Sequence, residues 1–234
     1  MAYLRDKGPG ISLSGGGTIA TWLAANASAR ANLGRSTGKW KFKMIMRNPP
    51  ELSARTHTGG GFMTSAGLLT ATPGQIPGSP SDPTMSTVLH TPLNGFVWYE
   101  AHWSFKLNAN QFLINYLRCS EITFAIDCDA TKYWICCRTL TGDGAPYDSG
   151  WLSPLGIPGA DPTFLAGYDY GAGGIEDTTI YPFVFSDYVG AQVELDFAPG
   201  VSDQCSADAE AAGFMDWDTT SGFTVTPRSW LTWW

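Results

Sequence analysis

The stretch from Ser120 to Arg138 constrains the fold of this chain more than any other. Ile122, Phe124 and Ile126 fall on one face of an extended segment, with Glu121, Thr123, Ala125 and Asp127 on the other. That is the period of a half-buried strand. Asp127 to Lys132 gathers turn-forming and charged residues. Tyr133 to Cys137 is apolar on both faces and rich in β-prone types, which predicts a central strand covered on both sides. The two strands make a hairpin, and the rest of the chain is expected to pack around it.

The alternation recurs on both sides of the hairpin. In Gly34 to Arg47, Trp40, Phe42, Met44 and Met46 alternate with Lys39, Lys41, Lys43, Ile45 and Arg47. The basic row reads first as a solvated sheet face, or as an edge guarded by its lysines. The sharper reading is a row of cations facing an acidic ligand. Gly95 to Leu107 reads as one strand, with Val97, Tyr99, Ala101, Trp103, Phe105 and Leu107 on one side. Gln111 to Leu117, Thr179 to Phe185, Gly190 to Phe197 and Gly222 to Val225 are further strand candidates. Ile19 to Ala31 is Ala-rich and helical by propensity alone. Ser202 to Ala212 is a short helix or a loop.

The 27 Gly and 15 Pro imply many turns and few long helices. Ten Trp, nine Tyr and twelve Phe suit a core between two sheets about 10 Å apart. The expected fold is therefore all-β, an antiparallel sandwich with long Pro/Gly-rich loops. No internal repeat or clean linker divides the chain, so residues 1–234 read as one domain. Residues 49–94 form its main loop insertion, with a short strand at Phe62 to Leu69, and residues 222–234 its Trp-rich end.

A net charge of −7 disfavours nucleic acid as a partner. No apolar run reaches membrane-spanning length, and the first nine residues hold no apolar core of a signal peptide. Membrane insertion and secretion through a leader are not expected. The five Cys (119, 128, 136, 137, 205) are odd in number and lack a CxxC pair. Buried thiols of a protein made in the cytoplasm are the favoured reading, and one bridge involving Cys119 or Cys205 is the alternative.

The sequence shows little that resembles catalysis. A glycan hydrolase needs clustered carboxylates, and in Glu194-Leu195-Asp196 the third acid is missing, with Pro199 and Gly200 following. His57, His90 and His102 lie beside no nucleophile motif. Asp127, Asp129 and Thr131 have the spacing that opens a calcium loop, but the later Gly and Glu of such a loop are Lys132 and Arg138. An ordinary turn is expected there. No enzyme activity, metal or cofactor is expected, and binding is the better class. The loop with Trp151, Phe164, Tyr168, Asp169 and Tyr170 offers flat aromatic faces beside polar groups, a surface for sugar rings or a protein loop. Its competing reading is that the aromatics tuck the loop onto the core. Trp230, Trp233 and Trp234 either pair back into the sheet or dock on another subunit.

Four blocks, in order, resemble SPRY-like domains. Ala31 to Phe42, with Gly38-Lys39-Trp40-Lys41-Phe42, is similar to the family's strand of small residues followed by S-x-G-K-W-Y-F-E. Ile122 to Trp134 is similar to its IGVAVDLDAGKLWF hairpin. Trp151 to Gly167, including Gly159-Ala160-Asp161-Pro162-Thr163-Phe164, resembles a loop of SPRY-like proteins from tailed bacteriophages. Tyr181-Pro182-Phe183-Val184 with Val193-Glu194-Leu195-Asp196-Phe197 resembles the closing pair, and Gly213-Phe214 sits where a terminal P-x-G-F is found. Lys43 replaces the usual acid after the first block, and Cys136-Cys137-Arg138-Thr139 replaces an NG turn. The resemblance implies a concanavalin A-like sandwich. It also implies a virion surface protein of a tailed phage, on a fibre or a tail or head appendage, that attaches to a host-surface glycan. Other virion proteins are the alternative partners, for a decoration or cement protein, and a peptide is the partner of a SPRY-type adaptor. A homo-oligomer or larger assembly fits the virion readings.

Overall fold

The computed structural model describes residues 1–7, 10–25, 27–48, 58–64, 97–99, 104–107, 110–113, 118–140, 146–151, 164, 168–169, 179–186 and 189–220. Their strands are β1 (Leu4–Lys7), β2 (Ile11–Ser14), β3 (Ile19–Trp22), β4 (Ala27–Ala31), β5 (Lys39–Asn48), β6 (Thr58–Thr64), β7 (Val97–Tyr99) and β8 (Ser104–Leu107). There follow β9 (Asn110–Leu113), β10 (Arg118–Asp127), β11 (Lys132–Leu140), β12 (Pro146–Trp151), β13 (Tyr168–Asp169), β14 (Ile180–Ser186), β15 (Gln192–Asp196) and β16 (Met215–Asp216). Among the described residues one α-helix, α1 (Gln204–Ala211), precedes β16.

The strands form two sheets. One runs β1-β4-β14-β6-β7-β8-β9. The other runs β12-β11-β10-β5-β15-β3-β2, with β13 added to β11 and β16 to β5. Pairing is antiparallel throughout except between β16 and β5. The expected all-β, two-sheet architecture is what the chain forms.

The predicted hairpin is β10 and β11, in register from Ile122–Cys137 to Asp127–Lys132. On its far side β10 pairs β5, Phe124 with Phe42 and Ile126 with Trp40. The even-numbered residues Trp40, Phe42, Met44, Ile122, Phe124 and Ile126 therefore share one face. With Leu4, Ala29, Phe62 and Val184 of the other sheet they make the main core. Phe42 and Phe124 stack at 4.7 Å. At Gly60 in β6, a Cβ would lie 2.3 Å from the Phe183 carbonyl of β14, so only glycine lets these strands close.

The turn between β10 and β11 is the ordinary one expected. Asp127 Oδ1 accepts from the backbone of Asp129 (3.1 Å) and Ala130 (2.9 Å). Thr131 closes it at φ 53, a left-handed conformation that a β-branched residue adopts at a cost. Thr131→Gly is expected to raise the unfolding free energy by about 1 kcal/mol, read in urea titration.

Several expectations need correction. Ile19–Ala31 is not a helix: it forms β3 and β4, with Ala20 and Trp22, then Ala27, Ala29 and Ala31, buried at a period of two. Tertiary packing of small side chains between the sheets overrides alanine's helical propensity. Gly95–Leu107 is not one strand, because β7 and β8 are separate and pair antiparallel, Trp98 with Phe105. Within the 49–94 insertion, the strand expected at Phe62–Leu69 runs Thr58–Thr64. Residues 65–69 and the Gly222–Val225 segment lie outside the described residues, as do His57, His90 and His102.

The basic row is enclosed at its middle and solvated at its two ends, Lys39 and Arg47. Around Lys41 and Lys43 the odd-numbered face of β5 is covered by the excursion of residues 198–216, which lays α1 over the sheet as a third layer and rejoins it as β16 beside β5. Lys41 and Lys43 are buried beneath it. No helix of the described residues is long and apolar enough to cross a membrane.

Candidate functional site

The third layer is fixed to the sheet by charge and by aromatic packing. The Lys41 ammonium has three N–H donors and meets three acceptors, Gly200 O at 2.8 Å, Glu210 Oε2 at 2.9 Å and Asp216 Oδ1 at 3.0 Å. Its side chain is 1% exposed, whereas Glu210 is 54% exposed and reaches inward from the rim. Lys43 pairs with Asp203, hydrogen-bonds Ser202 Oγ at 2.9 Å and faces Glu121 at 3.5 Å. An acidic ligand has no access to either cation.

Asp203 serves two structures at once. It caps the N-terminus of α1, accepting from Ser206 N at 2.8 Å, and it pairs with Lys43. Burial pushes its carboxyl pKa up, but the Lys43 and Ser206 hydrogen bonds and the Lys43 charge outweigh burial and hold it below the ordinary aspartate value. A depressed folded pKa gives stability that is whole at neutral pH. That stability is lost as pH falls from the unfolded value, about 4, through the lower folded one. Asp203→Ala is expected to lower stability by about 2–3 kcal/mol at pH 7, the cap's share of about 1–2 plus the loss of the Lys43 pair, which Glu121 at 3.5 Å in part replaces. Thermal melts at pH 3 should show a smaller gap from the parent.

Beside the lysines lies a second core, on the outer face of the nine-stranded sheet, formed by Ala125, Trp134, Cys136, Trp151, Cys205, Ala209 and Phe214. Phe164 packs on it, with ring centroids 4.8 Å from Trp151, 5.5 Å from Trp134 and 5.1 Å from Phe214. Cys136 and Cys205 are bridged across 69 residues, with Cα atoms 6.0 Å apart. The favoured expectation of unbridged thiols is thereby corrected, and the alternative involving Cys205 holds. Cys128 lies buried outside any bridge.

Five strands meet in one row at the end of this sheet. Tyr168 of β13 pairs with Tyr133, Tyr133 with Ile126, Ile126 with Trp40, and Trp40 with Met215 of β16. The short strands β13 and β16 thus flank the β10–β11 turn. Next to β16 is an open groove of about 330 Å³, lined by Glu210, Gly213, Phe214, Met215, Asp216 and Thr219. Lys39, 45% exposed and 3.7 Å from Asp127, stands 5.5 Å over the Phe214 ring at its edge. Behind it, Arg35 lies 3.6 Å over Trp40 and donates to Trp217 O and Thr219 O at 2.5 and 2.8 Å. Burial lowers the Arg35 pKa, with opposing contributions from Cys128 and Asp218.

The sequence-derived site residues separate here. Trp151 is 2% exposed in the second core, and its indole Nε1 has no hydrogen-bond partner among the described residues. Phe164 is half-buried on the same core. The backbone of Tyr168 and Asp169 forms β13 at the sheet end. Tyr170, Trp230, Trp233 and Trp234 lie outside the described residues. The groove residues were not legible by motif.

The carboxylates weighed for chemistry have scaffold partners. Glu194 pairs with Arg47, and Asp196 accepts from Ala198 N at 3.0 Å. Asp129 accepts from Gly38 N at 3.0 Å. Among the described residues no group of three His, Cys, Asp or Glu is placed to hold a metal ion.

No family model matches the chain, and no curated protein matches it. Among solved structures, it is similar to the SPRY domain of human HERC1, at 12% identity and a TM-score of 0.48, over 82% of this chain and 96% of that one. It is similar to the TRIM65 PSpry domain at 9% identity and a TM-score of 0.49, over 83% and 89% of the two chains. Stonustoxin matches at 10% identity and a TM-score of 0.48, over 83% of this chain and 26% of that one.

Proposed function

We propose that this chain is a non-enzymatic recognition module of the SPRY-like kind, carried on the surface of a tailed-phage virion, where it attaches to a host-surface glycan. The observation that supports it most is the convergence of the groove and β13 at one sheet end. Four strand spacings of about 4.8 Å separate β13 from β16, so the row is about 19 Å wide. A shallow, open rim of that width, lined by two carboxylates, a hydroxyl and the exposed Met215 thioether, suits a polymer or a protein loop better than an enclosed small molecule. The virion setting draws on the Trp151–Gly167 block and its likeness to phage sequences. The non-enzymatic reading draws on the scaffold roles of Glu194, Asp196 and Asp127.

The second reading is a decoration or cement protein, and its specific support is Trp230, Trp233 and Trp234 in the last five residues. The experiment is binding of labelled pure protein to a glycan array and to intact bacterial cells. It is run beside a Met215→Lys, Thr219→Lys variant whose melting temperature matches the parent. Binding by the parent, weakened about tenfold or more in the variant, is the expected result. Binding to no glycan and no cell overturns attachment. Co-purification with capsid or tail subunits instead identifies the second reading.

A further inference from the structure

Residues 198–216 leave the two-sheet body and return to it at one neck. Phe197 and Trp217, on either side, are both buried in the main core, and Asp218 N donates to Phe197 O at 3.0 Å. Trp217 is fixed independently of the excursion, edge-on to Phe42 at 5.5 Å and donating from Nε1 to Leu33 O at 3.1 Å. The excursion is therefore a lobe with a closed base, comparable to an Ω-loop, and its opening leaves the main core intact.

What holds the lobe down is unusual in kind. The buried residues of α1 are Cys205, Ser206 and Ala209, all small, so the helix contributes little apolar area. Docking falls to the two lysine clusters, to the short β16–β5 pairing, to Phe214 and to the Cys136–Cys205 bridge. The cysteines are 1% and 3% exposed, so a reductant reaches the sulfurs only after the lobe lifts.

We propose that the Cys136–Cys205 bridge is a redox-sensitive clasp: oxidised, it fixes residues 198–216 across Lys41 and Lys43, and reduced, it lets that lobe open as a unit while the two-sheet body stays folded. A dithiol supplies the electrons. Its thiolate attacks one sulfur, forming a mixed disulfide and releasing the other cysteine as a thiolate that takes up a proton. Its second thiol then displaces the remaining cysteine. Two electrons pass to the cysteines and the dithiol leaves as a disulfide. Because lifting breaks ion pairs, salt and loss of Lys43–Asp203 speed the reduction.

Hydrogen exchange of the full chain, oxidised and after dithiothreitol, tests this, with a Cys136→Ala, Cys205→Ala variant as the permanently open form. Reduction is expected to speed exchange at the Ala207, Ala212 and Phe214 amides about tenfold or more, with β10 and β14 unchanged. In the oxidised protein, Lys43→Gln is expected to shorten the time for dithiothreitol to release two thiols. Unchanged exchange in the lobe overturns the proposal, as does equal acceleration in lobe and sheet. Thiol release equally slow in Lys43→Gln also counts against it.

Discussion

A chain carrying Cys205→Ala is expected to unfold in urea with about 4 kcal/mol less free energy than the parent, both without reductant. The bridge spans 69 residues, and a cross-link of that reach removes much of the entropy of the unfolded chain. Its Cα separation of 6.0 Å lies within the ordinary range, so the native state forms it without moving the backbone. Alanine is the informative substitution. Serine would leave a hydroxyl among Trp134, Trp151 and Phe214, adding about 1–3 kcal/mol that has nothing to do with the cross-link. Dithiothreitol should bring the parent down to the variant and leave the variant where it is. A loss under about 1 kcal/mol would mean that the bridge does not form in solution.

The second large effect is expected at Lys41. Lys41→Ala should lower stability by about 3–5 kcal/mol, the range for removing one partner of a buried charge cluster. The variant leaves Asp216 and Gly200 O facing each other in an emptied site, while Glu210, more than half exposed, rehydrates. Lys41→Met keeps most of the buried stem and should lose less than alanine does. Arg47→Ala, at an exposed pair with Glu194, is the contrast, with an expected change under about 1 kcal/mol. Urea titrations of the three variants separate burial of the charge from its mere presence.

The body of the fold was legible in the sequence because strand alternation reports which face is buried. Ile122, Phe124 and Ile126, and Trp40, Phe42 and Met44, faced inward as their spacing implied. The alternation of Lys39, Lys41 and Lys43 was equally clear, but it says only that these residues share a face, not what covers it. The covering layer lies some 160 residues later in the chain, as Lys43–Asp203 shows. A signal for it was present. No Lys or Arg occurs between Arg138 and Arg228, while fourteen Asp and Glu do. An acidic half of that kind has a basic strand to neutralise. The disulfide was ambiguous because five cysteines allow many pairings, and only the placement of α1 over β11 selects Cys136 for Cys205.

The candidate site was legible only as a region. The loop after Trp151 was marked by its aromatics, and its strand β13 does reach the sheet end. Trp151 and Phe164 themselves pack on the second core, because two large apolar rings next to Trp134 gain more from burial than from exposure. The groove at β16 is built from Glu210, Phe214, Met215 and Thr219, residues with no motif, brought together by the return of the 198–216 excursion.

Lys41 and Lys43 are enclosed within the fold, and recognition therefore falls to the sheet end and not to a cationic face. Labelling the native protein with an amine-reactive ester, and reading each lysine by mass spectrometry, tests that directly. Lys39, nearly half exposed on the same strand, is the internal reference. Rapid modification of Lys39 with Lys41 and Lys43 protected until denaturant is added is the expected result. Labelling of all three at similar rates in the native, oxidised protein would contradict the account.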